Sequence, residues 1–395
     1  MKKIVIIGGG ASGMVAAISA KKENNEVIIL EKNNILGKKI LATGNGRCNY
    51  FNEIQDVSKY SSTTPKLLKE IISIENINMV LDFFNSLGII PKIKNGYYYP
   101  YSNKSENIKK ILEDKIKELG IKVKYNFNIE DISYDNKFII KGNDIVEADS
   151  LIISTGGMAS PITGSTGDGY DFAKKFNHTV IEPRPALTYL KGNDKLQSIW
   201  AGIRVDAKVS LICNNEVVDT EEGELQLTKN GLSGICIFNL STKAIEEKNK
   251  SVEIGINFMP FIEPIMAVEF FKQRKEENCI KVLEGFLNLK LIKAFTEILN
   301  IKEDAKIEEV DIPSLIKLLT DYRFKVEGHG SFEDSQTTSG GVSLEEVNRQ
   351  TFASLKQENL YLTGELLDVS GKCGGYNLTF AWISGISAGL DASIN

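Results

Sequence analysis

The sequence predicts an α/β protein built on a Rossmann-like parallel sheet, and three features lead to that class. Ile4 to Glu31 reads as a strand, a glycine turn, a small-residue helix and a second strand. Further glycine-rich strand ends follow at Ser154-Thr155-Gly156-Gly157 and across Thr363 to Gly389. Between them lie an alternating, antiparallel stretch and a helix-rich stretch, so the sheet domain is expected to be discontinuous.

Gly8, Gly10 and Gly13 fill the G-x-G-x-x-G positions. The first makes a tight turn, the second lets backbone approach a pyrophosphate, and the third packs helix on strand. Ala11 and Ser12 open the helix, where free N–H groups and the positive end of the dipole suit phosphates. Ala16, Ala17 and Ala20 keep the helix thin against the sheet, and Val27 to Leu30 is an apolar run suited to a strand buried on both faces. Glu31 follows about 20 residues past the glycines, placed to accept both hydroxyls of an adenosine ribose and to repel a 2′-phosphate. NADP is therefore disfavoured at this cradle, while FAD and NAD both remain open.

The bulk numbers exclude several classes. A net charge of -5 over 395 residues, with no basic run on one face, argues against nucleic-acid binding. No apolar stretch approaches the roughly 20 residues that span a bilayer, and the chain enters a core strand at once, so neither a membrane segment nor a signal peptide is expected. A cytoplasmic location follows. Five dispersed cysteines without C-x-x-C spacing fit reduced thiols, and two histidines are too few for a His-built site, so no metal is expected.

After Glu31 and Lys32, Gly37 to Asn49 (GKKILATGNGRCN) reads as a ligand-facing loop. Thr43, Gly44, Asn45 and Gly46 supply backbone N–H and polar groups, and Lys38, Lys39 and Arg47 supply charge. Pro65 to Ser86 is predicted as a helix stopped by Gly88. Lys92 to Tyr101 contains Asn-Gly before Tyr97, Tyr98 and Tyr99, which predicts a hairpin whose tyrosines point to both faces, packed in a core or walling a substrate.

Ser105 is predicted as the N-cap of an amphipathic helix to Leu119, followed by strands near Val123 to Phe127 and Phe138 to Lys141. Ala148 to Gly157 is an apolar strand whose Thr155-Gly156-Gly157 end belongs beside the same dinucleotide as Gly10. Gly164 to Gly169 opens a helix, with Asp168 as cap or ligand contact. From about Leu187 alternation through Ile203 to Leu211 and an Asn214-Asn215 turn predict an antiparallel hairpin, and Pro260 to Tyr322 reads as helical. Strand Leu360 to Leu362, Gly364-Glu365, Asp368 and Gly374-Gly375-Tyr376-Asn377 then lead into a second helix aimed at a polar ligand.

With both glycine-rich ends in view, the chain resembles the BaiN-like bacterial FAD-binding proteins, known as aminoacetone oxidase-like enzymes and 3-dehydro bile acid reductases. The residues that carry the resemblance are GGGASG at 8–13, GKKILATGNGRCN at 37–49, STGG with GSTGDGY at 154–170, and TGELLDVSGKCGGYNLTFAWISG at 363–385. It implies FAD in a discontinuous domain of 1–188 and 334–395, a β-barrel-like domain of 189–259 and 323–333, and a helical insertion of 260–322. It also implies that Gly8 to Gly13 take the pyrophosphate, Glu31 the ribose, the Ile129 backbone the adenine, and Glu365 with Asp368 the ribityl chain. Thr43 to Asn49, including Cys48, and Gly374 to Leu378 would flank the isoalloxazine. Cys48 and Cys373 read first as packed thiols. A family arginine is replaced here by Tyr97, ahead of Tyr98-Tyr99-Pro100, which implies that one substrate anion contact is missing.

The expected activity is a flavin-dependent oxidoreduction through N5 of the ring. One direction takes hydride from NAD(P)H to the C=C of an enone in a small, steroid-like molecule; the other oxidises an aminoacetone-like amine with O2. No second G-x-G-x-x-G is present, so NAD(P)H would be a visiting reductant. A flavoprotein that binds or modifies tRNA and a flavin-binding regulator without turnover are the readings from other classes. The pattern names no catalytic acid or base and no oligomeric state.

Overall fold

The computed structural model describes residues 1–247 and 250–394. It divides into two compact units, Met1–Ala186 with Ser335–Asn395, and Leu187–Asp334. At the centre of the first lies a parallel sheet in the order Leu360–Leu362, Ser150–Ile153, Lys2–Ile7, Asn25–Leu30, Lys122–Lys124. Ile4 to Ile7 and Val27 to Leu30 are buried without alternation, as strands covered on both faces are. The register pairs Ile7 with Leu30 and Ile153, and Ile153 with Leu362, so the strands finish level. Gly8, Glu31, Ser154 and Thr363 therefore follow along one edge.

The helix Ala11–Ala20 packs against Tyr376–Ile394 almost backbone to backbone. A Cβ on Gly385 would lie 2.3 Å from the Ser12 carbonyl oxygen, and one on Gly389 2.3 Å from that of Ala16. The small residues of the first helix thus admit the last helix as well as the sheet. Outside the central sheet, Ile129–Asp135, Lys137–Gly142 and Ile145–Ala148 form an antiparallel three-stranded sheet. Pro91–Lys94 and Tyr97–Pro100 form the predicted hairpin across Asn95 and Gly96, both at positive φ.

Several local expectations are corrected. Gly37 to Asn49 is not all loop, since Lys38–Ala42 is helical. Pro65 to Ser86 is not one helix: Pro65–Leu67 and Leu68–Ile71 end before Ser73, whose hydroxyl accepts the Asn76 N–H and caps a new helix, Ile74–Ser86. Ser105 does not cap its helix; Lys104 occupies that position, and the Ser105 hydroxyl donates instead to the Leu41 carbonyl at 2.9 Å. The strand expected at Val123 to Phe127 is Lys122–Lys124, and two strands, Ile129–Asp135 and Ile145–Ala148, carried too little apolar alternation to be foreseen.

The second unit holds a seven-stranded antiparallel sheet in the order Tyr322–Lys325, Val252–Asn257, Arg204–Cys213, Glu216–Leu227, Gly231–Ser233, Leu190–Lys191, Gly328–His329. The helices Pro264–Gln273, Cys279–Glu284, Leu289–Leu299 and Ile312–Thr320 share one core with it, in which Phe258, Phe295, Tyr322 and Trp200 meet. Tyr322, expected at a helix end, begins a strand and donates its hydroxyl to Asp194 at 2.6 Å. No described helix is long and apolar enough to cross a membrane.

Candidate functional site

Along the level edge of the parallel sheet, the glycines differ in what a side chain would meet. A Cβ on Gly13 would lie 1.9 Å from the Gly8 carbonyl oxygen, one on Gly8 2.5 Å from that of Ser154, and one on Gly9 2.2 Å from a Leu36 methyl. A Cβ on Gly10 would meet nothing within 4 Å. Gly8 and Gly13 are thus demanded by packing against backbone and Gly9 meets a movable Leu36 side chain, whereas Gly10 fronts open space at a helix start that no side chain caps. That opening suits a phosphate approaching Ala11, Ser12 and Gly13. Gly364, at φ 68°, brings another strand end to the same place, since its Cβ would sit 2.6 Å from the Ser12 hydroxyl.

Glu31 is buried at the end of the neighbouring strand. One carboxylate oxygen accepts the Gly9 N–H at 2.7 Å; the other accepts the Asn33 N–H at 2.7 Å and its side-chain amide at 2.8 Å. The carboxylate fixes the glycine loop and retains acceptor capacity for ribose hydroxyls. Sequence reasoning missed Gly9 and Asn33 as its partners. An Asn two residues after a carboxylate was the available signal, through its habit of bonding nearby groups. The Glu31 carbonyl accepts the Phe127 N–H at 2.9 Å, and that contact delivers Ile129 to this side of the sheet.

Charged residues around the cradle mostly hold it together. Lys38 donates to the Ile162 carbonyl at 2.7 Å, and Thr43 to that of Ile40 at 2.6 Å. Lys32 pairs with Asp168 at 2.8 Å and donates to Thr166 at 2.6 Å. Asp168 is not a side-chain cap, because Gly167 holds the cap position. Burial pushes its carboxyl up, but Lys32 and Thr166 outweigh that and hold it below the usual range. Lys39 pairs with Glu365 at 2.9 Å, and Glu365 also accepts the Thr338 N–H and hydroxyl at 3.0 and 2.9 Å.

Gly157 permits that approach, as its Cβ would lie 2.4 Å from the Thr338 hydroxyl; no motif pointed to Thr338. Thr155 and Gly156 lead from the strand to the helix Asp168–Lys175, with the Thr155 hydroxyl 1.9 Å from where a Gly169 Cβ would stand. Asp368 is buried and accepts the Thr63 N–H at 2.8 Å and the Ser62 hydroxyl at 3.3 Å. Burial pushes its carboxyl up against those bonds.

The hairpin tyrosines divide by face. Tyr98 packs edge-on against Tyr50 and Phe51. On the opposite face the Tyr97 ring stands 2.8 Å from where a Gly374 Cβ would be, and the Tyr99 ring 3.8 Å from that of Gly44. The loops holding Gly44, Asn45, Gly46 and Asn49 and holding Gly374 and Gly375 therefore meet one aromatic face. A Gly375 Cβ would lie 3.1 Å from Asn49 Oδ1, which is buried without a hydrogen-bond partner among the described residues. Thr337 Oγ1 and the Tyr170 hydroxyl share that condition, as do Lys2 Nζ and Ser150 Oγ at the opposite ends of their strands. Buried polar atoms without partners are expected where a polar ligand completes the site.

The Asn377 amide is already spent on Gly371, donating at 2.7 Å and accepting at 2.8 Å, while Tyr376 packs on Tyr60 and Leu378 on the core. These residues can contribute backbone N–H groups at the helix start rather than side chains. The Cys48 thiol is fully buried and pushed up to about 12 by that burial, so its side chain is inert. The open cradle, the buried Glu31 carboxylate and the partnerless polar atoms fit a bound adenine dinucleotide. No metal-binding cluster of His, Cys, Asp or Glu occurs among the described residues.

Comparison with known proteins gives this geometry a family. The chain matches the family model described as HI0933-like protein Rossmann domain over residues 2–391. It is 36% identical over 375 residues to the 3-dehydro-bile acid delta(4,6)-reductase of Clostridium scindens, covering 92% of this chain and 91% of that one. It is 27% identical over 370 residues to the ribosomal RNA dihydrouridine synthase of Haemophilus influenzae, covering 91% and 90%. The solved structure of 3-ketosteroid delta1-dehydrogenase from Sterolibacterium denitrificans, in complex with 1,4-androstadiene-3,17-dione, shares the fold at TM-score 0.52 and 11% identity, with 100% of each chain covered. The chain belongs to the HI0933-like Rossmann family.

Proposed function

We propose that this chain is an FAD-dependent oxidoreductase that uses NAD(P)H to saturate a C=C bond conjugated to a carbonyl group in an apolar, steroid-like substrate. The observation that carries the reading is the contrast at the cradle: Gly8 and Gly13 are demanded by packing, while Gly10 opens on an uncapped helix start one strand from a buried Glu31. The relatives support the reaction type. A delta(4,6)-reductase and a dihydrouridine synthase both name the saturation of a C=C bond, conjugated to a carbonyl in a dienone and in a uracil alike.

Ala11 to Gly13 and Gly10 hold the pyrophosphate, Glu31 the ribose, and Glu365 with Asp368 the ribityl side. Thr43 to Asn49 and Gly374 to Leu378 frame the ring. When bound, FAD supplies hydride to the substrate. The N–H groups that open the helix at Tyr376 stabilise negative charge near them, and Tyr97 with Tyr99 gives an apolar substrate a wall that excludes water. Anaerobic stopped-flow mixing of holoprotein with NADH, NADPH and simple amines tests the direction. Bleaching by a nicotinamide is expected; bleaching by an amine alone contradicts the reductase.

The second relative favours one alternative, reduction of uridine in RNA. The chain's net charge of -5 opposes it, because backbone phosphates demand basic surface. RNA binding that weakens steeply with added salt would support that alternative.

A further inference from the structure

Three side chains that the flavin reading leaves unused meet in the first unit. Ser354 Oγ lies 2.7 Å from His178 Nε2, and His178 Nδ1 lies 3.3 Å from Glu346 Oε2. Ser354 Oγ also accepts the N–H groups of Lys356 at 3.0 Å and Gln357 at 2.9 Å. Both of its acceptor positions are then filled, so the hydroxyl proton points to Nε2 and the imidazole carries its own proton on Nδ1, towards Glu346. Burial holds His178 below the ordinary imidazole range, which keeps it neutral and able to take a proton. Burial opposes the charge on Glu346, but Lys356 and Thr179 outweigh it and keep the carboxylate ionised. His178 Nδ1 is buried and makes no well-aligned hydrogen bond, an arrangement that tightens in catalytic sites when the imidazolium forms. The chain leading to Ser354 holds the fully buried Phe352 at φ 56°, a conformation that a bulky residue keeps only where its surroundings impose it.

We propose that Ser354, His178 and Glu346 form a second catalytic centre, a hydrolase site for carboxylic esters with a short acyl chain. It is independent of the flavin reading. Ser354 is the nucleophile, His178 the base and Glu346 the positioning residue that fixes the imidazole. Oγ attacks the ester carbonyl carbon as its proton passes to Nε2; the bond to the alcohol oxygen breaks, and Nε2 returns the proton to that oxygen. Water then attacks the acyl-serine and gives its proton to Nε2. The acid leaves as Oγ regains that proton, so ester and water become acid and alcohol with no change of oxidation state. The Lys356 and Gln357 N–H groups converge on Oγ and favour its anionic form during attack. The short acyl chain follows from burial. The His178 side chain has no exposed surface, while Ser354 is half-buried beside the exposed Leu355, so only a small group can bring its carbonyl to Oγ.

The test uses the full-length protein loaded with FAD. Its probes are diisopropyl fluorophosphate, which phosphorylates activated serines, and 4-nitrophenyl acetate. The wild type is expected to be labelled at Ser354, located by peptide mass mapping, and to hydrolyse the acetate until the label stops it. Ser354→Ala should lose both reactions. His178→Gln should slow hydrolysis by about 100- to 10,000-fold, the contribution of a positioned base. Glu346→Asp should keep part of the rate that Glu346→Gln loses, a rescue that depends on the carboxylate. Melting curves check the fold of each variant, and where a variant does not fold the labelling of the wild type decides. Absence of label at Ser354 in the wild type overturns the proposal. Hydrolysis that Ser354→Ala retains also overturns it, because Ser354 is then only the hydroxyl that caps its own turn.

Discussion

Gly10 and Gly13 stand three residues apart and differ in what a methyl group would do. At Gly13 it would strike the Gly8 carbonyl; at Gly10 it would enter the space left for phosphate. Gly13→Ala is therefore expected to destabilise the flavin-free protein by about 1–3 kcal/mol, the range for overpacking. Gly10→Ala should leave the melting temperature of the flavin-free protein unchanged and weaken FAD binding, as calorimetry with and without FAD will show. Glu31→Gln removes an acceptor that faces three donors. It should cost about 1–3 kcal/mol, seen as weaker FAD binding and a lower melting temperature of the flavin-free protein. The motif glycines and Glu31 were legible in the sequence because their geometry is local. Thr338, Thr63 and Asn33 were not, since a hydroxyl or amide gains meaning only from the carboxylate that folding brings to it.

Elements carry a second set of consequences. The first and last helices touch through Gly385 and Gly389, so Gly389→Val should separate them and destabilise the protein by at least about 1–3 kcal/mol in urea unfolding. The segment that follows the helix Asp168–Lys175 is tied to the 344–356 region through Glu346. That carboxylate accepts the Thr179 N–H at 2.7 Å and the Thr179 hydroxyl at 2.8 Å, and pairs with Lys356 at 2.6 Å. Burial opposes its charge, yet Lys356 and Thr179 prevail and hold it down at about 2 from an ordinary 4.5. A carboxylate lowered by folding gives stability above its unfolded pKa and loses it as pH falls. Melting measured from pH 6 to pH 2.5 should fall more steeply in wild type than in Glu346→Gln; equal slopes would contradict the assignment. Helices with strong apolar spacing were legible; the break at Ser73 was missed although its cap is local, and the Ser105 hydroxyl is drawn away from capping by the distant Leu41 carbonyl.

For the whole molecule, the discontinuity was visible because glycine-rich strand ends occur on both sides of the alternating and helical stretch, and a level parallel sheet unites them. The α/β class and the family followed from that pattern. The substrate did not, because the proposed walls of the site come from a hairpin and two loops whose opposition no spacing encodes. In the proposed reaction the cradle holds FAD and its electrons reach a conjugated C=C bond. Its most direct test is an anaerobic single turnover in which FAD-loaded, photoreduced protein is mixed with a 3-oxo-Δ4 steroid while absorbance is followed and product is analysed. Reoxidation of the flavin with one equivalent of saturated product per equivalent of FAD is expected; flavin that stays reduced until oxygen is admitted, with the steroid unchanged, would rule out the proposed reaction.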